Sequence, residues 1–399
     1  MNLSYTFPKK TKMWTFILMG IGLLSIIIGF FTDHDTHGTR TWANIYVNTF
    51  FFFSIALAAT FFIAVQYAAE AAWAVVLKRV FEAVASYLPI GAIFMIIVLA
   101  AGSLHLHHIF HWMDPELYIE GGEHYDPIIA HKQAYLNQPF FWIRALLFLG
   151  VWLYFQRLFR KRSLEEDLVG GINIHKKNIT SAAIFLVFFG FTSSVAAWDW
   201  IMSIDTHWYS TLFGWYVFSG MWISAIIFMT ILTIYLKGRG LLQNVNDSHI
   251  HDMGKWMFAI SFLWSYLWFS QFMLIWYSNI PEEVTYYLAR WDHYRFLFFF
   301  IFIINFTFPM LILMSRDAKR NKILLVFVGL VIFIGHWLDV FLMIMPGSVK
   351  ENWHFGIVEI GTFLGFLGLF VNVVLTALTK APVSVQKHPF LEESEHLHI

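Results

Sequence analysis

The sequence predicts an all-α integral membrane protein with ten transmembrane helices. Three observations carry that expectation. The 399-residue chain is 58% hydrophobic and only 13% charged, against about 25% charged residues in a soluble domain. Its mean hydropathy is +0.62, and ten stretches reach the roughly 20 apolar residues that a helix needs to cross hydrocarbon. The basic residues alternate in density from one connecting segment to the next, as they do when a chain is threaded repeatedly through a membrane.

The elements follow in order. The start, MNLSYTFPKKTKMW, sets basic residues before an apolar run, in the manner of a signal peptide. The run is too long and lacks a small-residue cleavage site, so it reads as a retained first helix over 12–31. The next spans are read at 45–69, 84–108, 139–160, 179–203, 212–236, 255–279, 291–315, 323–345 and 356–378. Each is a helix because lipid offers no solvent to an unpaired backbone. Two similar passages organise them: AAWDWIMSID (196–205) ends span five and GHWLDVFLMIMP (335–346) ends span nine. They lie four spans apart and run in the same direction. The expected architecture is therefore two parallel four-helix bundles, spans 2–5 and 6–9, flanked by spans 1 and 10. This divides the chain into 1–44, 45–203, 212–345 and 356–399.

Of the 26 Lys and Arg, twenty fall on the side of the N-terminus. Four (Arg40, Lys132, Arg290 and Lys350) fall on the other side, and Arg144 and Arg295 lie within helices. By the positive-inside rule both termini are cytoplasmic. The long segment 109–138 then faces outside and, by its length, is expected to dock a partner, with a self-packed cap as the plainer reading. The polar tail APVSVQKHPFLEESEHLHI reads as a mobile end or a partner contact.

The net charge is zero and there is no cysteine. Nothing points to nucleic acid, and disulfides, thiolate-ligated iron–sulfur clusters and covalent haem attachment are excluded for this chain. Charged residues inside the spans are costly and mark interior paths or interhelical contacts. They concentrate toward the outer side: Asp339, His336, Asp199, Glu359, Arg144, Arg295 and Asp292, with a sparser inner half of Gln66, Glu70, Glu82, Asn305 and Asn372. His336 and Asp339 stand one helical turn apart, close enough to share a hydrogen bond or a water. Asp339, His336, Asp199, Glu359, Asp205 and Arg295 are the candidates for a proton route; static interhelical hydrogen bonding is the competing role. Arg295 is a charge expected to pair with an acid. In SLHLHHIFHW (103–112), His107 and His111, and His108 and His111, share a face if the helix continues. That run reads as a docking surface rather than a metal site. Gly361-x-x-x-Gly365 permits close helix packing.

The stretches AAWDWIMSIDTHWYSTLFGWYVFSG (196–220), RWDHYRFLFFF (290–300) and GHWLDVFLMIMPG (335–347) carry a family resemblance over nearly the whole chain. It resembles the membrane subunits of the NrfD or polysulfide-reductase type, and within them the ActF-type subunits of bacterial alternative complex III, a quinol:cytochrome c or quinol:oxidase oxidoreductase. The resemblance implies a subunit of the bacterial inner membrane that binds no redox cofactor itself. Haem c and iron–sulfur clusters would sit on partners: the iron–sulfur subunit ActB and the haem-bearing ActA and ActE. A homologous ten-helix ActC would lie beside it, with menaquinone nearby and the quinol site in ActC. Lipids surround it, and a terminal oxidase is a further partner. ActF-like chains are assigned proton half-channels. The rival readings are a secondary transporter or ion carrier and a purely structural scaffold. A haem–copper oxidase core fails for want of intramembrane histidines.

Overall fold

The computed structural model describes residues 4–33 and 37–398. Among them there is no strand, and ten helices are long and apolar enough to cross a membrane. We number these α1 (Lys9–Thr32), α2 (Thr39–Ala68), α3 (Ala72–Ser103), α4 (Gln138–Val169), α5 (Ile172–Ile204), α6 (Phe213–Gly238), α7 (Asp247–Ser278), α8 (Arg295–Ile312), α9 (Lys322–Val349) and α10 (Ile357–Leu378). The protein is thus all-α and multi-pass, as the sequence predicts. Ten crossings bring both ends to one face, here the terminal face. The long α3–α4 connection lies on the opposite, loop face.

Asparagines define several starts. Asn137 caps α4 through the Phe140 amide at 3.0 Å. Asn246 and Asn321 cap α7 and α9 in the same way, each satisfying amides the first helical turn leaves unpaired. At the centre stands α2, 94% of whose most apolar window is buried. It is apolar all round, as an interior helix must be. It touches α3, α5, α6, α9 and α10. Contacts run α2–α3–α4–α5 and back to α2, and α6–α7–α8–α9 and back to α6. These are two four-helix rings with the expected membership, joined where α2 and α5 meet α6 and where α2 meets α9.

The most extensive pairing joins α1 to α10 outside both rings. It depends on glycine: a Cβ on Gly365 would lie 2.5 Å from the Gly22 Cα. Most of α1 otherwise faces outward, with Trp14, Phe16, Leu23 and Leu24 exposed as lipid contacts. Gly365→Leu is therefore expected to force α1 away from α10 and to cost about 1–3 kcal/mol, the range for overpacking. A lowered unfolding midpoint of the detergent-solubilised chain checks this; an unchanged midpoint would show the contact to be loose.

Several span boundaries differ from the sequence reading, the third span most of all. The third span begins at Ala72, in a 3₁₀ turn, rather than at 84, and ends at Ser103 rather than 108. A separate helix, Pro281–His293, precedes α8. The segment read as a docking loop folds onto the helix ends as a cap: Trp112, Leu117, Ile129 and Leu136 are buried, and the Lys132 ammonium donates to the Thr206 carbonyl at 2.5 Å. The tail is packed as well. The Ser394 hydroxyl donates to the Trp73 carbonyl at 3.1 Å, and the Asn246 amide reaches the Leu397 carbonyl at 2.7 Å.

Candidate functional site

Within the second bundle, α9 carries both His336 and Asp339, each 1% exposed. The Asp339 carboxylate accepts two hydrogen bonds, from the Tyr216 hydroxyl of α6 and from the Trp264 indole N–H of α7 at 2.8 Å. Its third neighbour is His336, whose Nδ1 lies 3.9 Å from Asp339 Oδ2. That exceeds a direct hydrogen bond and is a gap of the kind a water bridges. The imidazole stands edge-on to the Trp264 ring, and neither of its nitrogens has a hydrogen-bond partner among the described residues. No lysine or arginine pairs with Asp339 among them either.

Asn305 of α8 adds a third polar group to this interior. It is fully buried, with both side-chain atoms unpartnered. It nests against Gly335, where a Cβ would come within 2.0 Å of its Oδ1. The local backbone explains its position. Pro309 has no N–H to give the Asn305 carbonyl four residues back, and α8 widens into a π-turn over Ile303–Thr307. Such widened turns are frequent at functional sites. Buried polar atoms without partners are rare in folded proteins and mark places for water or ligand.

Toward the loop face, Asp339 borders a cavity of about 20 Å³ shared with Tyr216, Gln271, Tyr286, Tyr287 and Arg290, enough for about one water. Arg290 closes the far side. It donates to the Leu342 carbonyl at 3.2 Å and the Tyr286 carbonyl at 2.7 Å, and it reaches Asp205 Oδ2 at 3.3 Å. Its guanidinium lies 3.3 Å from the centroid of the Tyr286 ring. Asp205 in turn opens onto a polar vestibule of about 610 Å³, which also takes in His108, His111, His207, His293 and Lys350. Burial pushes the Tyr286 and Tyr287 hydroxyls up, so both stay protonated as donors. The groups able to hold or pass a proton are His336, Asp339 beside the small cavity, and Asp205 at open solvent; Arg290, a permanent cation, stands between the cavity and Asp205.

The remaining predicted residues lie elsewhere. Asp199 is gripped by both arms of Arg144, at 2.6 and 3.0 Å; that guanidinium also lies against the Tyr135 and Phe140 rings. Glu359 accepts Arg40 at 2.6 Å, the Asn44 amide at 3.0 Å and the Gly356 N–H at 2.9 Å. Both carboxylates are saturated and act as interhelical ties. Arg295 is exposed and lies over the Trp291 ring rather than against an acid. The buried arginine of this region is Arg290, which the sequence reading placed in a loop. Tyr216, Trp264 and Gln271 were also missed. Tyr216 closes the SIDTHWYSTLFGWY stretch, which was the available signal.

The histidine run does not form one face, because residues 104–110 are not helical. His107 turns inward. Its Nε2–H meets the Val98 carbonyl at 3.0 Å and its Nδ1 accepts the Ile109 amide at 3.3 Å. Burial lowers its pKa to about 4, so it is neutral near pH 7 and unavailable for docking. His108 and His111 remain exposed at the vestibule.

Nor is the terminal half sparse in charge. Lys78 and Arg79, read as loop residues, are buried at the start of α3. Lys78 pairs with Glu166 at 2.6 Å and Arg79 with Glu82 at 2.6 Å, while Arg160 also binds Glu82 and Arg79 also binds Asp167. The earlier start of α3 is what draws these cations inside. No protein-family model and no curated protein matches the chain.

Proposed function

We propose that the chain is a membrane subunit of a quinol-oxidising respiratory assembly of the ActF type. Its second bundle conducts protons between His336–Asp339 and the loop face. The carrying observation is a contrast between similar positions. Asp199 and Asp339 occupy corresponding places in the two bundles, yet Asp199 is held by an arginine and Asp339 is not. An acid gripped through both oxygens by a buried arginine is held as a fixed ion pair. One held by a phenol and an indole, beside an unpartnered imidazole and a cavity, can change protonation.

In this reading the loop face is the outer side of the bacterial inner membrane and both termini are cytoplasmic, as the twenty-to-four division of Lys and Arg supports. Quinol oxidation releases protons, and carrying one charge across the field is worth about 2.3 kcal/mol per 100 mV. A route confined to one half of the membrane therefore sets which side receives them. The redox groups, haem c and iron–sulfur clusters, belong to partner subunits of the ActA, ActB and ActE kind. A ten-helix ActC-type neighbour holds the menaquinol.

One observation favours the rival ion carrier: α8 is interrupted at mid-length by its π-turn and Pro309, and broken helices are common at transporter sites. Mild purification of the tagged chain from its native membrane separates the two. The respiratory reading expects haem-bearing partners in fixed proportion. Recovery of the chain alone, or as a homo-oligomer, would favour the carrier.

A further inference from the structure

A second group of unsatisfied polar atoms lies at the terminal face, far from the proton route and independent of it. Three residues distant in sequence meet there: Glu166 near the end of α4, His175 in the first turn of α5, and His388 in the tail. All three are buried, and one ligand atom from each falls within 4.8 Å of the others. The two imidazoles cross nearly at right angles with centroids 5.0 Å apart, and His388 Nε2 lies 3.9 Å from Glu166 Oε2. Both nitrogens of His175 and Oε1 of Glu166 lack hydrogen-bond partners among the described residues. A cavity of about 30 Å³ touches His175 and His388 and is also lined by Gln66 and Tyr67; the Gln66 Oε1 and the Tyr67 hydroxyl are unpartnered too. Apart from one proton each on Tyr67 and His175, these five atoms present lone pairs.

We propose that Glu166, His175 and His388 form a binding site for one divalent transition-metal ion. Two imidazoles and one carboxylate without a thiolate suit zinc or a neighbouring first-row ion rather than calcium or magnesium. Three ligands leave a position open toward the cavity, where Gln66 and Tyr67 can hold a bound water. Coordination through Nε2 moves the ring proton to Nδ1, so the 3.2 Å contact from the Phe390 amide must open. Lys78 occupies Glu166 Oε2 at 2.6 Å, which leaves Oε1 as the ligand atom, and its ammonium opposes the metal's charge. The ion would fasten the tail to the ends of α4 and α5.

The test uses the full chain in detergent, stripped with chelator and titrated with Co²⁺, read by visible absorption, with Zn²⁺ as competitor. One Co²⁺ per chain, displaced by Zn²⁺, is expected. Loss of even an outer partner of a metal site costs about 10–100-fold in affinity, so His175→Ala and His388→Ala should each weaken binding at least that much. His388 lies in the tail, and its replacement leaves the ten helices intact. Lys78→Gln should tighten binding by removing the opposing charge. Zn²⁺ should slow carboxypeptidase trimming of the tail in the parent and not in His388→Ala. A folded parent without stoichiometric Co²⁺, or a Co²⁺ band that both histidine variants keep, overturns the proposal.

Discussion

Asp339→Asn is expected to lower proton-coupled turnover of the purified assembly by about 100-fold, the lower end of what a positioned proton-transfer group contributes. The substitution keeps the side chain's shape and one carbonyl oxygen, but an amide neither takes nor gives up a proton in this range. That oxygen faces the Trp264 indole, a donor only, which now donates to Asp339 at 2.8 Å, so the Tyr216 hydroxyl must accept from the amide N–H where it now donates. The fold should absorb that mismatch, since one disturbed buried hydrogen bond costs about 1–3 kcal/mol in a chain with ten packed helices. Subunit content should therefore match the parent. Tyr216→Phe removes a donor to the same carboxylate and keeps the acid, so its effect on turnover should be smaller. An Asp339→Asn assembly that turns over and releases protons like the parent would reduce this cluster to an interhelical tie.

Arg144→Leu is expected to act in the opposite way, on stability and not on proton transfer. Arg144 and Asp199 are both buried, and the guanidinium meets the carboxylate through two bonds. Removing one partner of a buried pair leaves an uncompensated charge and costs about 3–5 kcal/mol. Replacing both with apolar residues of similar volume is often neutral. Arg144→Leu should thus sharply lower the yield of folded chain, and adding Asp199→Leu should restore much of it. Unfolding midpoints of the solubilised single and double variants measure this. Equal loss in both would mean that the pair matters through packing alone.

The contrast between these two acids was partly legible in the sequence. Trp-Asp near the end of span five and Trp-Leu-Asp near the end of span nine marked corresponding positions, and hydropathy with the Lys and Arg distribution marked all ten helices. What surrounds each acid was not legible. Arg144 sits 55 residues from Asp199, and Trp264 sits 75 from Asp339; no local pattern announces such partners. The arginine near Asp205 was misassigned because Pro281–His293 reads as a polar connector. Folded as a helix, it turns Arg290 inward and leaves Arg295, at the start of α8, facing out. Likewise Lys78 and Arg79 look like a solvated loop until α3 is seen to begin at Ala72, where Glu82, Glu166 and Asp167 neutralise them. Glu82 is one turn from Arg79, but Glu166 and Asp167 belong to α4, which only tertiary structure brings there. His175 and His388 lie more than two hundred residues apart and met no spacing rule for metal ligands.

Asp339 is expected to change protonation during turnover, whereas Asp199 is expected to keep its ion pair with Arg144. Infrared difference spectroscopy of the assembly, with and without quinol, measures this. A protonated-carboxyl band should appear or vanish on quinol addition, shift in deuterated water, and be absent in Asp339→Asn. A quinol-dependent spectrum with no such band, or one that Asp339→Asn leaves unchanged, would contradict it.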